Sequence, residues 1–471
     1  MRKKSLLFSI LAAGALVTLA SCGNDQELDD LKKEVEALKA DKEALTKEKS
    51  NLSNEKAKLE EEKNKLADDK AKLEADNSSL NTDLKEDESK LVSFKNGYYF
   101  TVKYVDFIGN ETKYTYLTSE YHNVLDALKE DFVVDYSESQ YGTSINGINN
   151  SFIDSNWYIS IYENGQYAST GIDGLVINPG DEFTFKHECW NTIESGYGIL
   201  DSYDVLVDKA IYNYYDNQLS KKLENVDRYD GSTYWDSMAL YKLINTKNSY
   251  DSNLYELGTD KFFNENFESS FDKENYIELS GNNYFKYYFG KRLFTNDFTE
   301  FKTKYQNYLD TLTEYPSYGE YFIPFNTGAA KTLGLNLNDA IKNPTYRASS
   351  AYGVDGLSWE LTGLLSYNTL DDNEFAPLSF SALDNENVYS KDVTLSSMIL
   401  PYAASNKSFR LLENENHVDG IEYLFDNFYD EVELKFDTEK LESDMSSNQI
   451  YAALVAYKVQ RDTNEAQNLF E

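Results

Sequence analysis

The sequence predicts a multidomain chain: a long N-terminal α-helix of coiled-coil type, a small mainly-β (α+β) domain, and a C-terminal all-α domain. Leucine recurs every seventh residue from Leu31 to Leu80, apolar and polar residues then alternate along stretches such as "YYFTVKYVDF", and helical patterning returns from Asp201. The expected segments are 1–21, 22–93, 94–195 and 200–471.

The first segment reads as a secretory signal. Arg2, Lys3 and Lys4 form a basic start, Leu6 to Leu19 a short apolar core, and Leu19-Ala20-Ser21-Cys22 a lipobox. The apolar stretch is too short for a transmembrane helix. Cys22 is therefore the expected lipidation site, and two or three acyl chains there give stable anchoring where one would be marginal. This places the chain on the extracellular face of a bacterial membrane. With Cys22 acylated, Cys189 stands alone, so no disulfide framework is expected. Cys189 sits among apolar and aromatic neighbours and reads as a buried, inert thiol.

The second segment is a stalk. Leu31, Leu38, Leu45, Leu52, Leu59, Leu66, Leu73 and Leu80 occupy the d positions of a heptad, and no Gly or Pro interrupts residues 25 to 93. The a positions begin apolar with Leu28 and Val35, then become Lys42, Lys49, Lys56, Lys63 and Lys70. Acidic g positions, such as Glu48 and Glu55, could meet those lysines in a parallel dimer through residues 28–91. Five lysines at a also weaken the seam, so a lone helix held by (i, i+4) pairs stays open beside the homodimer.

The third segment is β-rich. Residues 123–130 read as a short helix, "YGTSINGINN" as turn-rich, and "NWYISIYENGQYAS" as a hairpin about Asn164-Gly165, a type I′ turn pair. That turn sets Tyr162 opposite Tyr167 and Ile161 opposite Ala168. Trp157, Ile159 and Ile161 then share the core face, and Tyr158, Tyr162 and Tyr167 the other. The ordered pieces "NVLDAL", "YGTSINGIN", "NWYISIYENG", Gly171 and "INPGDEF" resemble the small β-domain of the transcobalamin and intrinsic factor family. In that family this domain closes over cobalamin.

The fourth segment carries four similar stretches: "STYWDSMALYKL", "GLSWELTGLLSY", "TLSSMILPYAA" and "SSNQIYAALVAY". Each carries Ser or Thr at or near its start, suited to an N-cap, and continues with small and apolar residues one turn apart. The pattern resembles an α/α toroid of the terpenoid-cyclase type, the other half of the vitamin carriers. Here it follows the β-domain, whereas in those carriers it precedes it.

A formal charge of −36 argues against a nucleic-acid partner. His122, His187 and His417 show no metal-ligand spacing, and no nucleophile elbow or phosphate-cradling glycine loop occurs, so neither metal nor catalysis is expected. Binding remains. The resemblance implies a small-molecule ligand, cobalamin or similar, held between the β-domain and the helical domain, with no cofactor required. The residues expected to touch it are Tyr158, Tyr162 and Tyr167 on the hairpin, with Trp359 and Tyr402 at helix ends. The alternative is an adhesin or surface scaffold that presents these aromatics to a protein or glycan. A toroid lyase acting on polysaccharide is a third reading with no residues to carry it.

Overall fold

The computed structural model describes residues 25–149, 155–218, 233–245, 282–293, 297–313, 319–342, 349–384, 390–436, 441 and 446–471. The signal segment and Cys22 lie outside these residues. The chain divides into two compact units, residues 1–95 and 96–471.

In the first unit, α1 (Asp25–Lys95) is a single helix of 71 residues. At about 1.5 Å per residue it extends about 100 Å. Leu38 through Leu80 stand exposed along one line at the heptad spacing. Lys56 and Lys70 reach Glu60 and Glu74 one turn on, at 3.9 and 3.6 Å. Such exposed pairs contribute little each, and mainly keep the charged surface solvated.

The second unit opens with the mixed α/β domain. Strands β1 (Tyr99–Val105) and β2 (Glu111–Leu117) pair antiparallel. Helix α2 (Val124–Asp131) follows, capped by the Asn123 side chain, which accepts the Asp126 amide at 2.8 Å. Strands β3 (Val134–Ser139) and β4 (Gly142–Ile148) make a separate hairpin. The stretch read as turn-rich is thus largely strand. Its glycines serve the ends: Gly142 takes φ +110° where the strand leaves the turn. Strands β5 (Trp157–Glu163), β6 (Gln166–Tyr167) and β7 (Glu182–Cys189) complete a sheet of order β2-β1-β7-β5-β6, with β1 and β7 parallel. The hairpin register is as expected: Tyr162 faces Tyr167, and the Ala168 amide donates to the Ile161 carbonyl at 2.8 Å. Asn164 and Gly165 both have positive φ, as a type I′ turn requires.

Phe100, Val102, Phe183 and Phe185 on the sheet close over Val124, Ala127 and Leu128 of α2, all essentially inaccessible. Each of the larger side chains among these contributes about 1.5–3 kcal/mol by burial. Trp157 does not join this core. Although it shares a strand face with Ile159, it packs with the helical region, so its assignment to the β-domain core is corrected.

The rest of the unit is mostly helical. Its longer helices are α3 (Ser202–Tyr212), α4 (Thr233–Asn245), α5 (Asn282–Lys291), α6 (Thr299–Leu309), α7 (Gly319–Leu333), α8 (Ser349–Leu364), α9 (Lys391–Ala404), α10 (Gly420–Phe428) and α11 (Ser446–Thr463). The four similar sequence stretches lie in α4, α8, α9 and α11, and these pack as successive neighbours: α8 on α9, α9 on α11, α11 on α4. Close approach depends on small residues. A Cβ on Gly363 would come within 3.0 Å of the Pro324 Cα, and one on Gly328 within 2.4 Å of the Phe470 carbonyl.

Ser358 and Thr394, the first hydroxyl residues of the stretches in α8 and α9 and their expected N-caps, are interior to those helices instead. Ser358 donates to Val354 O and Thr362 to Ser358 O, one turn back. Ser396 and Ser397 accept from the Gln449 amide of α11. These hydroxyls satisfy themselves inside packed helices rather than ending them.

Candidate functional site

The site is built where the β-domain meets α3. Phe107, in the turn after β1, stacks on His187 of β7 with ring centres 4.1 Å apart, and lies 4.4 Å from Tyr212 of α3. Trp157 packs edge-on against Phe107 at 4.8 Å. Its indole N–H donates to Asp208 Oδ2 of α3 at 2.9 Å.

Asp208 is fully buried, and its other oxygen meets Arg461 Nη2 at 2.7 Å and Lys458 Nζ at 3.1 Å, both on α11. Asp462 faces the same two cations at 2.8 and 2.7 Å. Burial would raise its pKa, but Lys458 and Arg461 outweigh that and hold it down at about 2. Asp204 joins the cluster, accepting the Tyr457 hydroxyl at 2.7 Å. Buried charges persist when each has several partners, as here. Trp157 thereby fastens the β-domain to two helices of the helical region.

Beside this junction lies a cleft of about 550 Å³. One wall is the end of the sheet, with Trp157, Tyr158, Lys186 and Glu188. The others are the turn at Asp106–Gly109, the loop carrying Trp190 and Tyr197, and Val205 and Lys209 of α3. His187 is buried behind the sheet wall, and burial pushes its imidazole down to about 3, so the ring is neutral near pH 7. Cys189 lines the same cleft and is half-buried, where a buried thiol was expected.

The loop after β7 is tightly closed. Ser195 donates to the Trp190 and Thr192 carbonyls at 3.0 and 2.6 Å, and the Ile199 and Leu200 amides return to Asn191 O. Gly198 is required there, since a Cβ would overlap the Asn191 carbonyl carbon at 1.8 Å. The loop therefore presents Ile193, Tyr197 and Ile199 to solvent as a fixed apolar lip.

The hairpin tyrosines gather around Glu188. Tyr162 donates to both of its oxygens at 3.0 Å, Tyr158 lies at 3.5 Å, and the Tyr162 and Tyr167 rings meet edge-on at 5.6 Å. Lys186 completes the set at 2.8 Å from Glu188. Burial opposes ionisation of Glu188, but Lys186, Ser160 and Tyr162 hold its pKa below the ordinary carboxylate range. Burial raises the Tyr158 and Tyr162 hydroxyls, with Glu188 adding to the effect. Of the three tyrosines only Tyr158 reaches the cleft, and Tyr167 stands exposed beside it.

Trp359 and Tyr402 are not brought to these tyrosines. Trp359 lies inside α8 rather than at its end, buried against Trp235, Phe325 and Phe470, with its indole donating to Ser397 at 2.8 Å. Tyr402 is buried near the end of α9 between Phe375 and Phe409. Both serve the helical core, because rings of that size in small-residue helices fill the space between neighbours.

Phe107, Lys186, Glu188, Trp190, Tyr197 and Lys209 line the cleft without having been expected there. Part of this was readable. In "KHECW" strand alternation sets Lys186, Glu188 and Trp190 apart from His187 and Cys189, and antiparallel pairing puts Glu188 opposite Tyr158. The position of Lys209 depends on how α3 docks, which no local pattern encodes. Among the described residues no group of three His, Cys, Asp or Glu side chains is placed to hold a metal ion, and no helix is long and apolar enough to cross a membrane.

A family model described as a domain of unknown function (DUF4430) matches residues 122–188. That span runs from the turn before α2 to the cleft end of β7, so it includes the hairpin and Glu188. Comparison with curated proteins gives no match. Among solved structures, this chain is similar to a crystal structure described as a "putative metal binding protein" from Ruminococcus gnavus, at 19% identity. The similarity covers 19% of this chain and 96% of that one, with a TM-score of 0.18.

Proposed function

We propose that the chain is a lipid-anchored surface binding protein that captures a small molecule in the cleft between the β-domain and α3. The observation that carries this is the cleft itself: about 550 Å³, walled by Trp157, Tyr158, Trp190 and Tyr197, with charged groups at fixed positions. Concave aromatic sites with a few placed polar groups at a domain junction are the usual form of ligand pockets. The rigid loop and the buried Asp208 cluster support preorganisation, which lowers the cost of binding.

The resemblance to the cobalamin carriers makes a corrinoid the first ligand to test. The toroid reading draws support from the helix neighbours, since α7 meets α8 and the succession through α9, α11, α4 and α5 returns to α7. Isothermal titration of the protein with cobalamin and cobinamide is the test. Heat saturating at one ligand per chain supports the vitamin reading, and no heat at micromolar protein removes it.

A second reading, an adhesin or scaffold, is favoured by the exposed Ile193, Tyr197 and Ile199 at the cleft lip. Removing residues 25–93 separates the two. A nutrient binder keeps its affinity in solution without the stalk, whereas an adhesin loses cell attachment when its reach is lost.

A further inference from the structure

The charges in the cleft are unevenly satisfied, and the difference bears on the chemistry of its ligand. Glu188 is occupied by Lys186, Tyr162 and Tyr158. Asp106 is occupied by its own turn: Oδ1 accepts the Ile108 and Asn110 amides at 3.0 and 2.8 Å, and Oδ2 the Asn110 side chain at 3.0 Å. Asp208, next in sequence to Lys209, is turned away into the buried cluster with Arg461 and Lys458. Lys209 is half-buried in the same cleft and makes no ion pair among the described residues.

Resting on the reading of the cleft as a ligand site, we propose that Lys209, backed by Lys186, forms an anion subsite. The ligand then carries a carboxylate or a phosphate beside an aromatic or other planar body. A partly dehydrated ammonium with no ion pair among the described residues carries a free-energy cost, only partly offset by Asp106, that an arriving anion removes. Lysine is a compact point charge and accepts either anion without the bidentate geometry arginine imposes. Tyr158, Trp190 and Tyr197 supply ring faces and edges in the same cleft. Burial, and then the like charge of Lys186, hold the Lys209 ammonium below the ordinary lysine range against the pull of Cys189 and Asp106. An anion lying against both lysines relieves both effects. In a chain of net charge −36, long-range attraction does not bring anions in, so the recognition is local and short-range.

The test uses the full chain and three small probes: benzoate, phenyl phosphate and neutral benzamide, titrated by tryptophan fluorescence and by NMR shifts. At least one anionic probe should bind about tenfold more tightly than benzamide, the scale of one charge-assisted hydrogen bond. Lys209→Met should abolish that preference and leave benzamide binding unchanged, and Lys209→Arg should restore it. The ratio of benzoate to phenyl phosphate affinity identifies which anion the subsite takes. An unchanged melting temperature for Lys209→Met shows that the variant folds. If anionic and neutral rings bind equally, or the preference survives Lys209→Met, the anion subsite is wrong while the cleft reading stands. If none of the probes binds at millimolar concentration, the anion subsite falls, and the titration with cobalamin and cobinamide decides the cleft reading separately.

Discussion

The two ends of the β5 strand carry similar residues and meet opposite fates. At one end Trp157 is sealed between Phe107, Tyr212 and the buried carboxylate of Asp208. At the other end Tyr162 and Tyr167 surround the Asn164-Gly165 turn, with Tyr167 exposed. An aromatic residue is thus not a marker of either core or site. What decides is whether another part of the chain covers it, since Tyr162 also has a fixed polar partner, Glu188 of β7. Trp157 is covered by the helical region, where its partner Asp208 lies fifty-one residues away in sequence, and becomes a bolt between domains. Tyr158, between the two ends, keeps one edge on Glu188 and the other on the cleft.

The largest test of this contrast is Asp208→Ala. It strips one carboxylate from Trp157, Lys458 and Arg461 together, leaving buried cations undercompensated. A loss of about 3–5 kcal/mol is expected in urea unfolding. Retention of full stability would mean that the cluster does not hold the Trp157 end.

The next test also belongs to the sealed end. His187 has an ordinary value of 6.5 when unfolded and about 3 when folded, because burial disfavours its charged form. Its folded pKa is depressed, so the stability it contributes is complete above 6.5 and lost as pH falls toward 3. Between pH 7 and pH 5 the protein should lose about 2 kcal/mol from this group. His187→Leu should flatten that part of the stability profile, and an unchanged slope would sink the assignment.

At the open end, Gly165→Ala isolates the backbone. Gly165 has φ +77° and a Cβ there meets nothing within 4 Å, so only conformational strain is introduced. A cost of about 1–2 kcal/mol is expected, with the Tyr162–Tyr167 pairing retained in NMR contacts between the two rings. A neutral substitution would show that this turn is not held in the left-handed region.

The contrast between the ends also marks where sequence reading succeeds. Local chemistry was legible: Asn164-Gly165 specified a register that the structure reproduces, Asn123 marked the start of α2, and the leucine heptad marked α1. Partners that meet through docking were not. Trp157 and Ile159 have the same parity along the strand, yet one belongs to the helical region and the other to the β-domain, because α3 covers only one end of the sheet. A signal for this existed. Asp204 and Asp208 sit one turn apart on the face of α3 that also carries Val207 and Ile211, and charges on an apolar face announce buried partners. Lys458, Arg461 and Asp462 in the apolar α11 are the complementary half of that signal. Trp359 and Tyr402 lie in the helical core for the converse reason: large rings among small residues fill the space between packed helices.

The smallest expected effect lies at Glu188, where the open end borders the cleft. Tyr162→Phe keeps the ring against Tyr167 and removes one donor to a carboxylate that retains Lys186. Because that site is partly solvated, a loss of only about 0.5–1 kcal/mol is expected near pH 7. Glu188 has a folded pKa below its ordinary value of 4.5, so its contribution is present above 4.5 and is lost as pH falls below it. Wild type and Tyr162→Phe should therefore converge in stability as pH drops below about 4.5, and His187, common to both proteins, cancels from the difference. A difference that persists unchanged at pH 3 would mean the Tyr162 hydroxyl is supported by something other than the Glu188 carboxylate. The tyrosine cluster would then be independent of the charge arrangement that shapes the cleft.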